Sequence, residues 1–178
     1  MVTTSLARQN FQEVTENAVN QQIQMHQMAQ HTYLAASAYF NHCEAALPGF
    51  TKFFHERAEY EGKAAEHLID YLITRGGICH ISALPQPLND WKSALNALET
   101  CISLEKDVNK SLLNLTIIAY NESDAHLKHF LKAGHLKAKV YTIENVVKGH
   151  TQLKRVGGEG LGLHMLDQNL YKHEKFVV

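Results

Sequence analysis

RGGICHISALPQPLND, residues 75–90, is the stretch on which the architecture turns. It holds two of the chain's three prolines, Pro85 and Pro87, together with Gly76 and Gly77, and it lacks helical periodicity. Proline has no amide proton to give to a helix interior, so one helix ends before this stretch and another begins after it. The third proline, Pro48, marks a much shorter break. Elsewhere helix formers dominate, and the spacing predicts four long helices over residues 11–42, 49–74, 90–121 and 124–156. A short fifth helix over residues 160–170 follows the pair Gly157–Gly158. Apolar stripes with three- and four-residue steps support these elements: Phe54, Ala58, Ala65, Leu68 and Leu72 on the second, and Leu95, Leu98, Ile102 and Leu112 on the third. On the fourth helix the predicted inward stripe is Leu136, Val140, Ile143 and Val147.

Loop lengths set the topology. The first and third breaks are a few residues long, which makes helices one and two antiparallel neighbours, and likewise three and four. A helix of ~28 residues is ~42 Å long at 1.5 Å per residue. The middle stretch, extended at ~3.3 Å per residue, can return along that length. The expectation is an all-α four-helix bundle made of two hairpins, a long crossover loop and a short fifth helix, in a single domain over residues 1–178.

Composition narrows the function classes. Apolar residues are 45% and charged residues 20%, a globular balance. The net charge of −1 argues against a nucleic-acid binder, and no apolar run approaches the ~18–20 residues that would span a membrane. The N-terminus has no apolar core flanked by basic residues. Cys43, Cys79 and Cys101 form no CxxC pair and no even disulfide set, which predicts reduced thiols in a cytoplasmic protein. Twelve histidines are a weak hint of metal contact.

Two carboxylates interrupt the apolar stripes. Glu61 falls between Ala58 and Ala65, and Glu105 falls three residues after Ile102. His26 and Tyr33 are seven apart on the first helix and share a face with Ile23. A buried carboxylate must be neutralised, paired or bound to a metal. A histidine, a phenol and two carboxylates in one bundle core form a candidate site for a hard cation such as iron, while a hydrogen-bonding or register role is the alternative for each residue alone.

At these residues the chain resembles the ferritin family along nearly its whole length. The resemblance is carried by Ala7-Arg8-Gln9-Asn10-Phe11, by Tyr33-Leu34 with Ala38-Tyr39-Phe40, by Arg75-Gly76-Gly77 and by Asp90-Trp91-Lys92-Ser93-Ala94-Leu95-Asn96-Ala97. The most specific segment is Leu104-Glu105-Lys106-Asp107-Val108-Asn109-Lys110-Ser111-Leu112-Leu113. The resemblance implies a hollow 24-subunit cage around a ferric mineral, formed by this chain alone or mixed with a catalytic ferritin subunit. It also implies roles for individual positions. Tyr33, Glu61 and Glu105 match the di-iron oxidation site of catalytic subunits. His26 stands at the position of a glutamate, Ala64 at that of the helix-two histidine, and Lys139 at that of the helix-four glutamine. Metal at the core would then fall to His26, Glu61 and Glu105, with Tyr33 in the catalytic role.

Lys139, if it points inward, would exchange a metal for a salt bridge, as in light-chain-like subunits. The resemblance also places an acidic nucleation patch on helix two, where Glu66 is retained but Tyr60 and Lys63 replace acids, and an acidic three-fold pore where His129 and Lys132 stand. Lys128 and Lys132 would repel Fe²⁺ if they line that pore; otherwise they are solvated ends of a helix face. His126 and His129 share a face as a candidate pore or surface metal site. The expected function is an iron-storage cage subunit with weak or absent ferroxidase activity. The alternatives are an active ferroxidase with a remodelled site and a chaperone-like cage without an iron role.

Overall fold

The computed structural model describes residues 5–173, 175 and 176. Among these the regular structure is helical throughout: α1 (Glu13–Phe40), α2 (Pro48–Thr74), α3 (Ala94–Asn121), α4 (Ala125–Leu131), a π-turn (Lys132–Leu136), α5 (Lys137–Arg155) and α6 (Gly160–His173). The π-turn joins α4 and α5 into the fourth helix of the bundle. Helix α1 packs on α2 and α3, α3 packs on α5, and α6 packs on α2.

The helix ends follow from capping chemistry. Ser93 accepts a hydrogen bond from the Asn96 amide at 3.1 Å, which starts α3 four residues later than the spacing predicts. Before it, Lys92 takes φ +55 and Trp91 is buried, 6.3 Å from Phe54 ring to ring. Asp124 caps α4 through the Leu127 amide at 2.9 Å and also pairs with Arg75 at 2.9 Å, so one carboxylate ties the end of α2 to the start of the fourth helix. Leu47 precedes α2 and has no side-chain oxygen to cap it. The cap comes instead from α6, where Asp167 accepts the Phe50 amide at 2.9 Å.

The crossover runs along α1. Glu16, Asn20 and Gln24, one turn apart on one face, hold its backbone: Ile78 N–H donates to Glu16 at 2.7 Å, and Asn20 bonds both Ile78 O and His80 N, at 2.9 and 2.8 Å. Gln24 then donates to Ala83 O at 2.8 Å. The expected return connection is therefore present, pinned residue by residue. Near the other end, Phe40, Phe50 and Phe54 pack with centroids 5.5–6.3 Å apart. Each such buried ring contributes roughly 1.5–3 kcal/mol.

The fourth helix corrects the expected stripe. Its inward row is Leu127, Leu131, His135, Lys139, Val146, Gly149 and Leu153. Leu136 is partly buried and Ile143 half-buried, but Val140 and Val147 are exposed, at 62% and 38%. The true inward row carries two polar residues, so the apolar pattern favoured the row one residue on. Three successive four-residue steps would drift by about 120° on an α-helix at ~100° per residue. The π-turn contributes one extra residue and cancels most of that drift, so His135 and Lys139 both reach the core.

Candidate functional site

The site forms at mid-bundle, where α1, α2, α3 and α5 all direct polar residues inward. His26, Glu61 and Glu105 have no solvent exposure, and Lys139 is 1% exposed. Lys139 Nζ donates to Glu61 Oε1 at 2.5 Å and to Glu105 Oε2 at 2.7 Å, bridging the two carboxylates. Arg57 Nη2, one turn before Glu61, donates to Glu61 Oε1 at 3.2 Å and to Glu105 Oε1 at 2.9 Å. His26 Nδ1 meets Glu61 Oε2 at 2.7 Å. Tyr33 O–H donates to Glu105 Oε1 at 2.8 Å and lies 3.3 Å from Cys101 Sγ. Two carboxylates thus face two permanent cations, and all four carboxylate oxygens have partners.

Electrostatics follow from this arrangement. Burial alone would raise the Glu61 pKa, but the His26 hydrogen bond and the Lys139 and Arg57 charges outweigh it and bring the group down to about 2. For Arg57 burial favours proton loss, while Glu105, Tyr33 and Glu61 together hold its pKa above the ordinary value. Burial, then Cys101 and Glu105, push the Tyr33 phenol well above its usual range, so it stays a donor. Burial and Glu105 likewise push the Cys101 thiol up to about 12.

A pair of iron ions in a bundle core is held by inward carboxylates together with Glu-x-x-His imidazoles. The donor set does not fit a pair of iron ions as it stands. Among the described residues no group of three or more His, Cys, Asp or Glu is placed to hold a metal. The ammonium of Lys139 sits between the carboxylates, where a bridging cation would stand. Beside the cluster lies an open cavity of about 410 Å³ lined by Tyr60, Lys63, Ala64, His67, Gly134 and His135.

The crossover and the mid-bundle carboxylates fall within a family match described as Ferritin-like domain, over residues 16–156, and the short last helix follows it. The chain belongs to the ferritin family. Three relatives agree over nearly their whole lengths. The chain is 36% identical to "Ferritin, lower subunit" of Aquarana catesbeiana, covering 89% of this chain and 92% of that one. It is 37% identical to "Soma ferritin" of Lymnaea stagnalis, covering 94% and 96%. It is 38% identical to "Ferritin heavy chain" of Echinococcus granulosus, covering 92% and 95%.

Within this ferritin, four of the residues singled out from sequence, His26, Tyr33, Glu61 and Glu105, converge, and Lys139 joins them. Ala64 is buried at the edge of the cluster and lines the cavity. The other candidates lie elsewhere. Glu66 is exposed, and Lys63 is exposed beside Glu59 at 3.6 Å. His129 and Lys132 are exposed. His126 is also exposed and stacks on Tyr71 at 5.7 Å, and Lys128 lies 5.0 Å over the Tyr120 ring. Sequence reasoning missed Arg57, Cys101 and His135. Each stands four residues before a residue it did single out (Glu61, Glu105 and Lys139), so the i,i+4 face carried the signal. No helix among the described residues is long and apolar enough to cross a membrane.

Proposed function

We propose that this ferritin is an iron-storage subunit of a multi-subunit cage that supports ferric mineral growth but does not run fast paired-iron oxidation. The observation that carries this reading is the Lys139 ammonium lodged between Glu61 and Glu105. A di-iron centre in a bundle needs inward carboxylates and Glu-x-x-His ligands free to bridge two cations. Here the oxygens serve Lys139, Arg57, His26 and Tyr33, and Ala64 offers no ligand. Family membership supports iron binding and storage, and in a mixed cage the oxidation falls to a catalytic partner subunit.

The test is oxygen consumption and ferric absorbance after Fe²⁺ is added to the purified apo-protein. Slow mineral growth above a protein-free control is expected. A rapid early diferric phase would instead select an active, remodelled ferroxidase, and no effect on mineralisation would select a cage without an iron role.

A further inference from the structure

The open cavity beside the ion-pair cluster, about 410 Å³ in volume, is lined by hydrogen-bond donors and by no acid. Tyr60, Lys63, Ala64 and His67 come from α2, and Gly134 and His135 from the π-turn. An ammonium, two imidazoles and a phenol can each donate a hydrogen bond. Two small residues keep the space open. Ala64 ends at its Cβ, and a Cβ added to Gly134 would meet nothing within 4 Å. Crowding therefore does not explain a glycine that weakens the helix relative to alanine. Single π-turns of this kind occur frequently at functional sites.

Packing holds the rings. His135 is 6% exposed and lies 5.4 Å from His67, nearly parallel at 21°, and 5.4 Å from Phe130. No described residue hydrogen-bonds the His135 Nε2, so nothing there commits the ring to one tautomer. Burial, then His26, His67 and Lys139, lower the His135 pKa to about 3 against the pull of Glu61. The ring is therefore neutral near physiological pH, and its surroundings oppose added positive charge. Arg57 and Lys139 lie 4.7 and 6.0 Å from the centre of the Tyr60 ring. Glu61 and Glu105 already serve these two cations, which leaves no spare acid for a metal. What the cavity lacks is an acceptor.

We propose that this cavity binds one phosphate group, as inorganic phosphate or as the head of a phosphate monoester, with Lys63, His67 and His135 as its donors. A tetrahedral dianion suits the lining because it offers oxygens to α2 and to the π-turn at once. The volume leaves room beside it for waters or for a small ester. Lys63 is available: its partner Glu59 stands 3.6 Å away, and an exposed pair of this kind is weakly held. His67 is also exposed, which gives the anion an approach from solvent. The site uses none of the mid-bundle carboxylate oxygens, so it stands or falls apart from the iron-storage reading.

The experiment is equilibrium dialysis of radiolabelled inorganic phosphate against the assembled, iron-free protein, because a ferric mineral would take up phosphate on its own oxygen-seeking surface. One saturable phosphate per chain is expected. Gly134→Leu fills the cavity from a position where a side chain favours the helix, and should abolish saturable binding with the circular dichroism spectrum unchanged. Lys63→Glu should weaken binding by at least about tenfold. Lys128→Ala/Lys132→Ala removes two exposed lysines outside the cavity and should leave binding unchanged. Displacement of the label by glycerol phosphate at lower concentration than by inorganic phosphate identifies a monoester head, and the reverse identifies the free ion. No saturable binding in the wild type, binding that survives Gly134→Leu, or binding lost in Lys128→Ala/Lys132→Ala would each overturn the proposal. If Gly134→Leu does not fold, the surface variant Lys63→Glu decides.

Discussion

Replacing Lys139 by methionine leaves Glu61 and Glu105 in the core with one fewer cation between them. Removing one partner of a buried ion pair costs about 3–5 kcal/mol, because the remaining charge has lost its solvation and its mate. Chemical denaturation of Lys139→Met should show a loss of that order at neutral pH. The pH dependence has a definite sign. Glu61 has a depressed folded pKa of about 2, so its contribution is full above its unfolded value of ~4.3 and is lost as pH falls toward about 2. Without Lys139 the folded pKa rises, and acid unfolding followed by circular dichroism should begin at a higher pH.

Rebuilding a two-metal centre takes more than restoring the expected ligands. His26→Glu, Ala64→His and Lys139→Gln supply the carboxylate, the imidazole and the neutral amide, yet Arg57 still donates to both remaining glutamates. Adding Arg57→Gln should be required before a rapid diferric phase appears in stopped flow. A rapid phase in the triple variant alone would show that Arg57 does not block iron. Lys139 was singled out from the family pattern, but its inward reach stood only as a condition, because the expected inward row of the fourth helix ran through Val140. Arg57 was not singled out: a long, partly exposed side chain four residues from an acid reads equally well as a surface pair.

At the scale of elements, α6 is docked through the cap it gives to the start of α2. Gly49 lets the α6 backbone approach the first turn of α2, and a Cβ at that position would overlap the Asp167 carbonyl oxygen. Asp167 in turn caps α2 in the place where Leu47 cannot. Gly49→Ala should therefore undock α6 while leaving the four long helices intact. Hydrogen exchange would show this as lost protection across 160–173 with little change in α1 and α3. The existence of α6 was readable from the glycine pair before it. Its docking was not, because no local pattern announces a cap donated from more than a hundred residues away. The fourth helix shows the complementary limit. Its length was readable, but its face was not, since a π-turn leaves no apolar signature and two polar residues occupy the inward row.

At the scale of the whole molecule, the chain alone leaves apolar rows uncovered. Leu113, Ile117 and Tyr120 on α3 are 47%, 57% and 67% exposed, and Val140 and Tyr141 on α5 exceed 60%. Rows of this kind mark surfaces that other chains cover. Light scattering should find a large assembly, and a monomer at micromolar concentration would contradict the cage reading. Ile117→Asp and Val140→Asp place a charge on these rows and should shift the population toward smaller species without unfolding the subunit. The topology behind this surface was legible because one long connector flanked by short ones admits few arrangements.

The cations of Lys139 and Arg57 have a further consequence. A centre neutralised by ions drawn from solution folds to a degree that depends on the free concentration of those ions. Here the neutralising charges are covalently part of the chain, and their effective concentration does not vary with the medium. Folding of this subunit should therefore not depend on the free iron concentration. Chelation leaves its core charge-balanced, and the protein can be complete before any cargo arrives.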